Sequence, residues 1–63
     1  MNLQQAVDIV KEFANANTDG DILEGAGLMD IHSELGLLTE RERVAIGMFM
    51  TAGRRMFAPV DKE

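Results

Sequence analysis

Hydrophobic residues recur at helical spacing in three stretches of the chain, separated by breaks rich in Asn, Asp, Gly and Thr. In the first stretch Leu3, Ala6, Val7, Val10, Phe13 and Ala14 follow the i, i+3, i+4, i+7 rhythm of one helical face, and Ile9 widens it. Gln4, Asp8, Lys11 and Glu12 fall largely on the opposite side. Asn2, with Gln5 three residues later, is a capping-box pattern. The spacing predicts a helix over 3–15, followed by turn chemistry from Asn15 to Gly20.

Asp21 and Glu24 repeat the capping-box spacing and open a second stretch. Ile22, Ala26 and Met29 form one strip, with Leu28, Ile31 and Leu35 beside it. A helix over 22–35 is expected, ending at Gly36, a favoured residue just past a helix end. Gly25 and Gly27 weaken its first half by roughly 1 kcal/mol each relative to Ala, unless they serve a close backbone approach. Thr39 and Glu42 form a third capping box, the best formed of the three. The helix that follows is expected to run over 40–57, because Pro59 blocks continuation. Residues 59–63 form a polar tail.

The third helix has a wide apolar arc of Val44, Ala45, Ile46, Met48, Phe49, Met50, Ala52, Met56 and Phe57. Only Gly47, Thr51, Arg54 and the Glu40/Arg43 corner interrupt it. Two short helices would struggle to cover that arc, so part of it is expected to meet a partner. The predicted fold is all-α: one domain, a small three-helix bundle that forms a homodimer through its C-terminal helix. The predicted interface comprises Gly47, Met48, Phe49, Met50, Thr51, Ala52, Met56 and Phe57. Met is unbranched and adapts to varied partners. Arg54 and Arg55 are placed to reach acidic residues of a second subunit.

Composition sharpens the need for a partner. A chain of 63 residues buries only about 60% of its unfolded surface. Domains of this size usually add disulfides, a metal or a second chain. There is no Cys, so disulfides and thiolate zinc sites are excluded, and a single His excludes histidine-rich metal sites. No secretory signal pattern or membrane-length apolar run is present, so a cytoplasmic protein is expected.

The net charge is −5, and it is unevenly spread. Residues 1–40 carry Asp8, Glu12, Asp19, Asp21, Glu24, Asp30, Glu34 and Glu40 against Lys11 alone, a net −7. Residues 41–63 carry Arg41, Arg43, Arg54, Arg55 and Lys62 against Glu42, Asp61 and Glu63, a net +2. An acidic front disfavours nucleic acid and anionic membranes, and it suits steering of a basic protein. Asp8, Glu12, Asp30 and Glu34 are the expected steering residues.

Two short segments resemble known motifs. Asn15-x-Asn17-x-Asp19-Gly20-x-Ile22 resembles the first eight positions of an EF-hand calcium loop. It departs at the position of the bidentate carboxylate, which is Ala26, and Asn15 replaces the usual first Asp. Turn-forming residues that end one helix and cap the next account for it. Leu38-Thr39-Glu40-Arg41-Glu42-Arg43 resembles the opening of the DNA-binding domain of quorum-sensing-type response regulators. Only ten residues follow Gly53, interrupted by Pro59, so a recognition helix is not expected there. A second arrangement remains, with the third helix in the DNA groove, but its arginines sit at its two ends and form no stripe.

His32 and Ser33 are neighbours in sequence but not on one helical face, and no nucleophile–base–orienter set can be assembled. No enzyme activity, small-molecule substrate, cofactor or metal is expected. The favoured function is a regulator or inhibitor that binds a partner protein and occludes its functional surface. Small acidic helical proteins of this type resemble adaptor and inhibitor proteins, including those of phages and other mobile elements. The alternative is a small DNA-binding transcriptional regulator of helix-turn-helix type.

Overall fold

The computed structural model describes residues 1–57. They form three helices, α1 (Leu3–Asn17), α2 (Ile22–Glu34) and α3 (Glu40–Thr51), then a short 3-10 turn over Gly53–Met56. No strand occurs among the described residues. The polar tail over 59–63 lies outside them.

Each helix starts where a side chain satisfies backbone N–H groups that the helix leaves free. Asn2 Oδ1 accepts from Gln5 N at 2.8 Å, and Gln5 Oε1 accepts from Asn2 N at 3.0 Å. Thr39 and Glu42 make the same reciprocal pair, at 3.1 and 3.0 Å. At α2 the cap runs one way: Asp21 Oδ1 accepts from Leu23 N at 3.0 Å and from Glu24 N at 3.3 Å.

The first helix runs two residues past the expected end, into Asn15–Asn17. Polar side chains stabilise its last carbonyls. Asn17 Nδ2 donates to Phe13 O at 3.0 Å, and Thr18 Oγ1 donates to Ala14 O at 2.6 Å. Asn15 and Asn17 are therefore helical residues and do not belong to an ion-binding loop. Gly20, at φ +95, makes the turn into α2.

The core is one cluster: Ala6, Val7, Ile9 and Val10 of α1, Ala26 and Met29 of α2, and Ala45, Ile46 and Phe49 of α3. The α1 residues are those of its predicted face, with Ala14 also buried and Leu3 and Phe13 half-buried. The first helix is central and packs on both others, which touch each other less. The end of α3 lies beside Leu3 and its start beside Ile9–Asn17, so α1 and α3 run antiparallel.

The two glycines of α2 separate cleanly. A Cβ at Gly25 would sit 2.5 Å from Ala14 Cβ, so Gly25 is where α2 crosses α1 in close contact. Gly27 has open space around it.

The third helix ends at Thr51 and not at Phe57. Ala52 departs from helical geometry at φ −131, ψ −42. Gly53 is buried, and a methyl there would lie 3.0–3.3 Å from Phe49, Leu3 and Val7. The 3-10 turn then carries Phe57 back onto Phe49, with ring centroids 6.0 Å apart and planes 28° apart. The helix therefore ends well before Pro59, at a glycine packed closely on α1.

Candidate interaction surface

No polar or charged residue is buried among the described residues. The surface chemistry is therefore that of exposed apolar groups and unburied charges. The helical period fixes which side of α3 is free. Ala45, Ile46 and Phe49 point to the core, so Glu40, Val44, Gly47 and Thr51 fall on the opposite side.

Phe49 is 0% exposed, which removes it from the predicted interface. Phe57 is half-buried against it and belongs to the same internal packing. The other predicted interface residues are at least partly open. Met48 is half-buried, and Gly47, Met50, Thr51, Ala52, Arg54, Arg55 and Met56 are exposed. Met56 is 62% exposed and Val44 42%.

Of the predicted residues Gly47, Met48, Thr51 and Ala52 border an open, mainly apolar groove of about 480 Å³, whereas Met50, Arg54, Arg55 and Met56 lie outside it. Leu3 forms one side, and Val44, Gly47, Met48, Thr51 and Ala52 form the other, with Arg43 at the rim. Nothing lies within 4 Å of where a Gly47 Cβ would be. Thr51 donates its hydroxyl to Gly47 O at 2.8 Å, so the polar group is satisfied within the helix. Arg43 pairs with Glu40 across one turn, and both are well exposed, so that pair adds little stability.

A second hollow of about 390 Å³ lies between α1 and the start of α3. Ile9, Phe13 and Ala16 give it an apolar floor, and Glu12, Arg41 and Glu42 give it charge. Its hydroxyl, on Thr39, is held by the α3 cap. His32 is half-buried and meets Phe13 edge to face, with centroids 5.5 Å apart. That contact anchors α2 on α1 and gives His32 a packing role.

The four acidic residues expected to steer a partner, Asp8, Glu12, Asp30 and Glu34, are all exposed. Asp8 accepts from Gln4 Nε2 at 3.0 Å. Arg41, Arg43, Arg54 and Arg55 are exposed as well, but the free face of α3 between them is Val44, Gly47 and Thr51. A helix lying in a DNA groove needs polar and basic residues there.

Two surface features lie outside the predicted interface: Leu3 and Val44 line the groove, and the far side of α2 is open. Of the strip Leu28–Ile31–Leu35, Ile31 is 55% and Leu35 66% exposed, and Leu37 after the helix is 65% exposed. The doubled apolar strips of α2 were the visible signal of the second, since two short neighbours cannot cover both.

Among the described residues no group of His, Asp or Glu is placed to hold a metal ion. No described helix is long and apolar enough to cross a membrane. Comparison with protein families, curated proteins and solved structures finds no match to this chain.

Proposed function

We propose that this chain is a small acidic protein-interaction module that pairs with a second copy through the free face of α3 and regulates a partner protein by covering part of its surface. The observation that carries this reading is the apolar groove along Val44, Gly47 and Met48. A small domain gains from covering such a surface, since each apolar Å² removed from water contributes about 25 cal/mol. Gly47 and Thr51 leave room for a second helix to approach closely. Acidic side chains on the first two helices then remain free to steer a basic target.

On this reading the protein acts in the cytoplasm by occlusion, without chemistry of its own, in the manner of inhibitors carried by phages and mobile elements. Linkage supplies the test. A fold stabilised by pairing melts at a temperature that rises with protein concentration. A melting temperature that stays constant from micromolar to millimolar concentration would remove the pairing part of the proposal.

A further inference from the structure

The end of α2 is built by a Schellman motif. Gly36, at φ +74, lets Leu37 N reach His32 O at 2.9 Å while Gly36 N reaches Ser33 O at 3.1 Å. This folds Leu37 back to the level of the last helical turn, where Ile31 and Leu35 sit one turn apart. Three large aliphatic residues, each more than half exposed, thus lie on the last turns of α2 or just past its end. The opposite side of α2 is fully used, because Gly25, Ala26 and Met29 are buried against the core. A helix apolar on two sides is ordinarily covered on both.

Charge identifies what would cover this one. Asp30 and Glu34 are exposed beside Ile31 and Leu35, and no Lys or Arg occurs between Lys11 and Arg41. Two copies related by a twofold axis through this patch would set Asp30 and Glu34 against their own equivalents. Like charges so placed disfavour the pairing. At the groove on α3 the neighbouring carboxylate, Glu40, is paired with Arg43, which separates the two surfaces by chemistry.

We infer that Ile31, Leu35 and Leu37 form a docking surface for an amphipathic helix of another protein, with Lys or Arg bordering its apolar stripe. This rests on the proposed interaction module and names its partner's chemistry. The aliphatic residues anchor that helix, and Asp30 and Glu34 pair with its basic borders.

The test is a methyl-detected NMR titration of the whole chain with a synthetic amphipathic helix of leucines and lysines. The expected result is shifts centred on Ile31, Leu35 and Leu37, with affinity falling as salt rises. Ile31→Ser with Leu35→Ser weakens binding roughly tenfold or more, and helix content and sedimentation stay unchanged. Asp30→Asn with Glu34→Gln flattens the salt dependence, and a peptide with glutamates in place of lysines does not bind.

Shifts centred on Val44 and Met48 would overturn this inference while leaving an interaction module in place. So would loss of self-association in the α2 variants, which would make the occupant a second copy. Absence of binding at millimolar peptide, or equal binding of the glutamate peptide, would overturn it too. The concentration dependence of melting then decides separately whether the pairing reading survives.

Discussion

Gly25 and Ala14 hold the two N-terminal helices in contact: a methyl on Gly25 would lie 2.5 Å from Ala14 Cβ and 2.8 Å from its Cα. Backbone does not yield to such an overlap as a flexible side chain does. Gly25→Ala is expected to cost about 1–3 kcal/mol by forcing the helices apart. Gly27→Ala, in the same helix but in open space, should instead stabilise by about 0.4–1 kcal/mol. Urea titrations of the two variants check this, and the opposite signs are the decisive feature.

Phe49 is the largest side chain fully enclosed by the fold. Phe49→Ala should remove about 3–5 kcal/mol. For a domain this small that is comparable to its whole stability, so the variant should lose most of its helical circular dichroism at room temperature. Met50→Ser, at a residue 38% exposed, should cost less, about 0.5–2 kcal/mol in the unpaired chain, from the apolar area it still covers.

Gly36 holds the left-handed conformation that closes α2. Gly36→Ala should cost about 1–2 kcal/mol, because a Cβ strains that geometry. Gly36→Asn should cost less, since Asn tolerates it better. Thermal melts of the two variants rank them.

DNA binding supplies a contrasting expectation. The free face of α3 carries Val44, Gly47 and Thr51 and offers no row of phosphate contacts. Fluorescence anisotropy with labelled duplex DNA at low salt, where electrostatic affinity is greatest, should show no binding at micromolar protein. Binding with a steep salt slope, abolished by Arg54→Ala with Arg55→Ala, would favour the regulator reading instead.

Much of the fold is legible in local pattern. The face of α1, the caps at Asn2, Asp21 and Thr39, and Gly36 at the end of α2 all depend on residues within one or two turns. The end of α3 is only partly so. Gly53, just past the helix end as Gly36 is for α2, is the local signal near Ala52, and its close packing on Leu3 and Val7 accompanies the turn of the chain. The same limit applies to the surface. The arc of α3 is visibly too wide to be core, but only the direction of α1 decides that Phe49 faces in and Val44 faces out. For α2, both apolar strips read alike in sequence, and its crossing at Gly25 chooses which one is buried.

Gly47 connects stability with association. Its open position means Gly47→Ala should strengthen the isolated helix by up to about 1 kcal/mol. If a second helix packs there, the same methyl holds the two helices apart and weakens pairing. A variant with a more stable monomer and a weaker dimer is therefore expected.

Self-association through the free face of α3 is tested most directly by sedimentation equilibrium of the wild-type chain beside Val44→Glu, a substitution at a residue 42% exposed in the single chain. The account predicts a dimer for the wild type at tens of micromolar and a monomer for Val44→Glu. A folded wild-type monomer across that range, or a Val44→Glu variant that pairs as well as the wild type, would contradict it.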